Sequence, residues 1–438
     1  WIGVLLFLSL PVIIKLSTTV YVDLGLIFFS FASLYLLIHW SKKGYTLKLL
    51  ILSAVCCGLA LSTKYNGLIT FFLLVFMVPL VYLKTSVNSA KSQTRAFYYT
   101  SVFFIVSILV FSPWMIKNYR WTGNPIYPLY NSVFKKQTAQ NAKKHSLKKE
   151  EYNRKFSWNH FLVRKYVYQE TWWQTALIPV RIFFQGEDDN PALFDGRLNP
   201  LLLILPIFVL VFRRYQGNGQ ERIEDQILAF FSILYILIAF FQTDMRTRWI
   251  GPAIPPLVIL SISGLHTLYQ KLSPASRLLQ GIVTLCIAGL FSLNFIYLFH
   301  TFKTYEPVDY LMGQTTRDQY IQKRRPEYAS IQFANKHLEA DTRIMAFFLG
   351  KRRYYSNHDI AFNYDAFKKT VIRAKTVDDI NKYAVKKGFT TFIINYAKFN
   401  SWLSQSFNPS QRNLFLSYIN THTQRVFTKD GHGVYQLK

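Results

Sequence analysis

Long apolar runs recur through the chain up to about His300, and polar residues separate them. Their length of roughly 15–20 residues is that of a helix crossing the hydrocarbon core of a bilayer. A soluble fold would have to bury every one of these runs, so the pattern favours a polytopic α-helical membrane protein. We predict nine membrane helices, the first of them short: Ile2–Ile14, Leu24–Ile38, Leu47–Leu61, Leu68–Leu83, Tyr98–Phe111, Pro200–Phe212, Gln226–Phe241, Ile250–Leu268 and Leu278–His300.

The tail that follows the last apolar run is polar, and the spacing of its apolar residues differs from that of the preceding part. Short alternating runs typical of strands, such as Arg343–Phe348 and Thr390–Asn395, are interleaved with helical patterns such as Arg325–Leu338, Thr376–Lys387 and Pro409–Asn420. A terminal hairpin is expected at Arg425–Thr428 and Val434–Leu437. We therefore predict two domains, a transmembrane domain over residues 1–304 and a small α/β domain over residues 305–438.

Basic residues cluster in four of the short loops between the predicted helices. Because these four loops alternate correctly with the helices, all four fall on one side of the membrane, which the positive-inside rule assigns to the cytoplasm. The opposite side then holds the stretch Lys15–Asp23, the long segment Trp114–Asn199 and the whole tail. The four loops carry Lys42, Lys43 and Lys48; Lys84, Lys91 and Arg95; Arg213, Arg214 and Arg222; and Lys271 and Arg277.

The segment Trp114–Asn199 is too long for a simple connection. It opens with dense Trp and Tyr, which suit the membrane–water interface. The basic run Lys135–Lys155 that follows is typical of a solvated helix face. Thr171–Gln185 (TWWQTALIPVRIFFQ) has an amphipathic pattern and is expected to lie in the interface.

The net charge of +28 suggests an anionic partner. In a membrane protein this charge favours lipid head groups or a phosphate-bearing substrate, and nucleic acid is not an expected partner. The sequence contains no GxxxxGK[ST], HExxH or GxSxG motif, so an ATPase, a zinc protease or a serine hydrolase is poorly supported.

Candidate chemistry lies at the helix ends on the predicted outer side. An acid at a membrane boundary is costly to place, and Asp23 there is either a functional group or a favourable first-turn residue of its helix. A carboxylate can act as a general base or hold a divalent metal ion, and Lys or Arg can hold a phosphate. For each cation alone, contact with lipid head groups is the simpler reading. The converging set is Asp23, Lys64, Asn118, Arg246 and Arg248.

Three stretches, TTVYVDLGLIFFSFASLYLLIHW, GLALSTKYNGL and SPWMIKNYRWTGNPIYPLYN, resemble in order and spacing the bacterial GT-C glycosyltransferases. These include protein O-mannosyltransferases and lipid A aminoarabinose transferases. The resemblance covers roughly the first third of the chain, and RTRWIGPAIPPL (Arg246–Leu257) is similar to a later Arg-Tyr-Pro segment of the family. Tyr310–Tyr320 and Phe389–Asn395 resemble the extracytoplasmic domain of some members.

The resemblance implies a glycosyltransferase that moves a hexose or pentose from a polyprenyl-phosphate donor to a lipid, glycan or protein acceptor. The reaction would take place on the outer face of the bacterial inner membrane. Asp23 matches the family's acid at the start of a membrane helix, and Lys64 matches the Lys after the small-residue helix. Arg248 matches the late phosphate-contacting Arg, although Trp249 stands where Tyr is common.

The family's other acid lies in the first extracytoplasmic loop, and no such loop follows the first predicted helix. We therefore expect that the chain, which starts at Trp1, is an N-terminally truncated fragment or is inactive. Four acids of the loop before a membrane helix could replace the missing acid: Glu187, Asp188, Asp189 and Asp195. Such loop acids are more often simple residues of the membrane–water interface.

Two other function classes remain open at this point. A transporter or flippase for lipid-linked or anionic cargo would have inverted repeats and charges at mid-depth, and the sequence shows neither. A membrane scaffold protein would use its tail to bind a partner.

Overall fold

The computed structural model describes residues 1–86, 92–134, 160–212, 219–241, 245–272 and 276–438. The predicted basic run Lys135–Lys155, together with Lys91, Arg213, Arg214 and the side chain of Arg222, lies outside these residues. The chain divides into two compact units, Trp1–Lys303 and Thr304–Lys438, close to the expected boundary.

The first unit is helical. Among the described residues, six helices are long and apolar enough to cross a membrane, and two shorter apolar helices accompany them. The prediction of a polytopic helical membrane protein is confirmed. The helices are α1 (Ile2–Ser9), α2 (Pro11–Ser17), α3 (Asp23–Lys42), α4 (Leu47–Thr63), α5 (Gly67–Thr85), α6 (Ser92–Thr122), α7 (Leu201–Phe212), α8 (Gly219–Phe240), α9 (Ile254–Leu272) and α10 (Arg277–Tyr305).

Most of the predicted helices differ from those observed at their ends, and in two of them a proline lies where the difference arises. The first breaks at Leu10, whose ψ of 130° is extended, because Pro11 lacks an N–H and suits the first position of a new helix. The fifth was predicted to end at Phe111 but continues through Pro113 to Thr122. Its 31 residues give a length of about 46 Å, which is longer than the hydrocarbon core is thick.

Small residues let the helices approach closely. Ser33 and Ser53 each donate a hydrogen bond to the other's carbonyl oxygen at 2.7 Å, joining α3 to α4. A Cβ on Gly58 would lie 2.6 Å from Cβ of Val110 in α6. Without a hydrophobic driving force between helices in lipid, such close contacts and interhelical hydrogen bonds provide much of the association energy.

One end of this bundle carries basic loops. Lys42 forms an ion pair with Glu224 at 2.5 Å, and Lys84 donates a hydrogen bond to Gln226. The end of α3, the end of α5 and the early part of α8 therefore lie together, as the alternation of the basic loops requires.

Between α6 and α7 the described part of the chain is made of short helical pieces. They include residues 131–134, His160–Leu162, the π-helical Val163–Val167, Trp172–Ala176, Ile178–Arg181 and the 3₁₀ turn Pro191–Leu193. A second 3₁₀ segment, Thr247–Ala253, leads directly into α9.

The second unit is a five-stranded mixed sheet with helices around it. Its strand order is β2-β1-β3-β5-β4, in which β1 is parallel to β2 and β3, and β5 is antiparallel to β3 and β4. The strands are β1 (Arg343–Phe347), β2 (Asp359–Ala361), β3 (Thr391–Asn395), β4 (Thr423–Lys429) and β5 (His432–Leu437).

The helices of this unit cover a core rich in Phe, including Phe347, Phe367, Phe392 and Phe415. The predicted α/β domain is confirmed, while the strand β2 and four helices were not predicted, namely Pro307–Leu311, Arg317–Arg324, Tyr364–Arg373 and Tyr396–Ser406. The helices are α11 (Pro307–Leu311), α12 (Arg317–Arg324), α13 (Tyr328–His337), α14 (Tyr364–Arg373), α15 (Val377–Lys386), α16 (Tyr396–Ser406) and α17 (Pro409–His422), with a 3₁₀ turn at Arg353–Tyr355.

Candidate active site

A buried ion pair joins the start of α3 to the end of α4. Asp23 is the first residue of α3, where the helix dipole favours a carboxylate, and Lys64 follows the last residue of α4. The Lys64 Nζ donates a hydrogen bond to Asp23 Oδ1 at 2.6 Å. The Asp23 side chain is 2% exposed and that of Lys64 is 24% exposed, so solvent reaches the pair from the ammonium side.

The local sequence places Lys64 at this position. Lys64 is extended, and a short turn through Tyr65 and Asn66 leads into α5 at Gly67. A Cβ on Gly67 would lie 2.5 Å from the carbonyl oxygen of Ala60, so only glycine allows α5 to begin this close to α4.

Asn118 contacts Tyr65, the residue that follows Lys64, and its amide nitrogen is hydrogen-bonded to the protein. Its Nδ2 donates to Tyr65 Oη at 3.0 Å and to the Pro125 carbonyl at 3.4 Å, and the Tyr65 hydroxyl donates to the Tyr127 carbonyl. These bonds tie the loop after α6 to the residue next to Lys64. A phosphate-binding role for Asn118 stays a prediction.

Arg248 lies beside the start of α3. Its guanidinium carbon is 4.3 Å from the ring centroid of Tyr21, two residues before Asp23, a distance typical of a cation–π contact. The Arg248 Nε is buried and makes no hydrogen bond to the described residues. A buried guanidinium N–H without a partner is a donor for an anionic ligand.

Arg246, in contrast, belongs to a neighbouring charge cluster. Its Nη1 is 2.9 Å from Asp195 Oδ2, and Lys15 Nζ is 3.0 Å from Asp195 Oδ1. Lys15 also pairs with Asp188 at 3.0 Å, and the Tyr297 hydroxyl donates to the other Asp188 oxygen at 2.7 Å. Two of the four acids that could replace the missing one are therefore engaged by cations.

The cations around Asp195 set its protonation. Burial opposes ionisation of this carboxyl, but the hydrogen bond and charge of Lys15, the Asp189 backbone N–H and the charge of Arg246 together lower the pKa of Asp195 below its ordinary value. An acid with a lowered pKa is a weak base at neutral pH. Asp195 is suited to holding Arg246 rather than to taking a proton.

Thr247 connects the two groups of charges. Its backbone N–H donates to the Phe194 carbonyl at 2.8 Å, and its Oγ1 donates to the carbonyls of Phe194 and Gly196 at 3.1 and 3.0 Å. The residue between the two arginines is thus fixed by the loop that carries Asp195. Sequence reasoning missed Thr247, Lys15 and Tyr21.

The structure brings the five predicted residues to one end of the bundle, in contacting groups. Asp23 pairs with Lys64, Asn118 contacts the neighbour of Lys64, and Arg248 stacks on Tyr21 near Asp23. Arg246 lies in the Asp195 cluster, two residues from Arg248.

The expected metal ion at Asp23 does not fit the surrounding donors. Among the described residues, no group of three or more His, Cys, Asp or Glu side chains could hold a metal ion. Asp23 is a single carboxylate with an ammonium group 2.6 Å away.

Comparison with known proteins bears on the first part of the chain. Residues 1–122 match the family model of dolichyl-phosphate-mannose-protein mannosyltransferase. The match covers Asp23, Lys64 and Asn118 and ends before the two arginines. It confirms the resemblance to the GT-C glycosyltransferases over the segment it covers.

Among solved structures, the fold is similar to the archaeal oligosaccharyltransferase AglB from Archaeoglobus fulgidus, determined in complex with an inhibitory peptide and a dolichol-phosphate. The identity is 11% and the TM-score 0.42, over 95% of this chain and 57% of that one. The chain thus spans little more than half the length of that protein. No curated protein sequence matches the chain.

Proposed function

We propose that the chain is a glycosyltransferase that moves a sugar from a polyprenyl-phosphate-linked donor to a lipid, glycan or protein acceptor on the extracytoplasmic face of the bacterial inner membrane. The observation that carries the proposal is the buried Asp23–Lys64 pair, which lies inside the segment that matches the mannosyltransferase family. Arg248 stacks on Tyr21, two residues before Asp23, and its buried Nε has no hydrogen-bond partner among the described residues, which supports an anionic ligand.

In the proposed reaction Lys64 turns from Asp23 toward the donor phosphate, because its ammonium is the exposed member of the pair. Arg248 provides the second cation. The bond between the sugar C1 and the phosphate oxygen breaks while the acceptor oxygen bonds to C1. The two cations stabilise the charge of the departing polyprenyl phosphate.

Asp23 has two roles in this proposal. Before the donor binds, its carboxylate holds Lys64 in place. Once Lys64 turns to the phosphate, the freed carboxylate accepts the proton of the acceptor hydroxyl. The protons and charges then balance without a further group.

The position of the charges supports a transferase over a transporter. The site residues lie at the start of α3, just after α4, near the end of α6 and just before α9, whereas transporters bind cargo near mid-depth between repeats. We propose that the second unit is extracytoplasmic.

The test is sugar transfer by the chain in proteoliposomes with a polyprenyl-phosphate hexose donor, read by mass spectrometry of the lipid products. We expect Asp23→Asn and Lys64→Met to abolish transfer while both variants insert normally. Lys48→Met is the matched control, since Lys48 is exposed at the opposite end of α4. Full activity in Asp23→Asn would remove this residue from the mechanism.

A further inference from the structure

The two short helices after Glu170 have opposite faces of different character. Thr175, Ile178, Ile182 and Phe183 are buried, and the last three belong to the core of the helical unit. The other face exposes five apolar side chains, here called the aromatic ridge: Trp172 (59% exposed), Trp173 (80%), Leu177 (51%), Val180 (44%) and Phe184 (55%).

A buried charge cluster holds the ridge in place. Glu170, 8% exposed, pairs with Arg164 at 2.9 Å and with Arg181 at 3.2 Å. Thr175 also donates to the second Glu170 oxygen at 3.3 Å. The Glu170 carboxylate therefore binds Arg164 before the two helices, Thr175 in the first and Arg181 at the end of the second. These contacts fix the orientation of the ridge.

The ridge is connected to the candidate active site. The guanidinium groups of Arg164 and Arg181 lie 5.0 and 5.7 Å from the ring centroid of Phe194. The Phe194 carbonyl in turn holds Thr247, between the two site arginines. The buried cluster under the ridge therefore contacts the same loop residue that holds Thr247.

The size and composition of the ridge indicate its partner. Large aromatic side chains have about 150–250 Å² each, so the five residues together expose on the order of 500 Å², which is the size of a functional patch on a soluble monomer. Within Thr171–Gln185, which the structure describes in full, Arg181 is the charged residue, and it pairs with Glu170 in the buried cluster. Lys165, 5.7 Å from the Trp172 ring centroid, lies at its margin.

We propose that the aromatic ridge lies in the boundary between head groups and acyl chains of the bilayer, with lipid as its partner. Paired Trp side chains with a Lys at the margin and an uncharged apolar face are typical of helices lying in this boundary. The opposite face of the same segment, with Ile178, Ile182 and Phe183, is part of the core of the unit that carries the membrane helices. This inference does not depend on the proposed transferase activity.

The experiment uses the full chain in nanodiscs of phosphatidylethanolamine and phosphatidylglycerol, with Cys56, Cys57 and Cys286 replaced by Ala. A spin label is placed at Trp173→Cys, and at Val180→Cys as a second reading in case the first variant fails to insert. Glu187→Cys is the matched control, since Glu187 is exposed a few residues further along the same segment. Collision rates with oxygen and with a water-soluble nickel chelate report the surroundings of each label.

We expect the labels on the ridge to collide several-fold more with oxygen than with nickel, relative to the label at Glu187. A label at position 173 or 180 with the same ratio as the control would mean that the ridge faces water and would overturn the proposal. Low collision rates with both reagents would mean that protein covers the ridge, a second copy included, and would overturn it as well.

Discussion

Removing Lys64 from the Asp23–Lys64 pair should destabilise the protein more than removing the charge of Asp23. At 2.6 Å the attraction between the two charges is about 6 kcal/mol at an effective dielectric constant of about 20. Desolvation of the buried carboxylate offsets much of this. Lys64→Met leaves Asp23 buried without a counter-charge and should cost about 3 kcal/mol.

Asp23→Asn leaves a lysine that is 24% exposed and can reach water, so its cost should be lower, about 1–2 kcal/mol. The double variant should be more stable than Lys64→Met alone, because no uncompensated charge remains. The assay is denaturant unfolding of the four proteins in detergent micelles. The reasoning is refuted if Asp23→Asn is the less stable single variant, or if the double variant loses the sum of both effects.

Three further outcomes follow from other contacts. Tyr21→Leu removes a cation–π contact worth about 1 kcal/mol and should weaken equilibrium binding of polyprenyl phosphate roughly fivefold. Tyr21→Phe keeps the ring and should bind like wild type in the same assay. An equal loss of affinity in both variants would contradict a role for the stacking on Arg248. Because the pKa of Asp195 is lowered in the folded state, its contribution to stability is present above the ordinary Asp pKa and is lost as the pH falls through the lowered value. Asp195→Asn should therefore reduce the fall of the melting temperature with pH below about pH 4, and an unchanged fall would show that the carboxylate plays no part. Gly264→Ala places a Cβ 2.0 Å from the Leu205 carbonyl and should lower the melting temperature by several degrees, whereas Gly281→Ala, in open space, should not; equal melting temperatures would contradict the close contact of α7 and α9.

The helical unit could be predicted from the sequence because apolar run length alone determines which segments span a bilayer. Helix ends were less predictable. The chain continues as a helix through Pro113 but breaks at Pro11, and the two residues have the same local signal. The strand β2 was missed because three residues carry no periodicity.

The candidate site was predictable only in part. Asp23 and Lys64 stand at the ends of consecutive antiparallel helices, so their approach follows from helix order. The pairing of Arg246 with Asp195 depends on how a loop 51 residues away folds back, which no local pattern encodes. Tyr21 was missed because an exposed loop tyrosine gives no sign that a guanidinium packs on it.

The most direct measurement of the central claim is a cryo-electron microscopy structure of the chain in nanodiscs with bound polyprenyl phosphate. The account predicts the phosphate within hydrogen-bond distance of Lys64 Nζ and the Arg248 guanidinium, with the Asp23–Lys64 distance lengthened from 2.6 Å. A phosphate bound elsewhere while this pair stays closed, or an Asp23 side chain facing lipid, would contradict it.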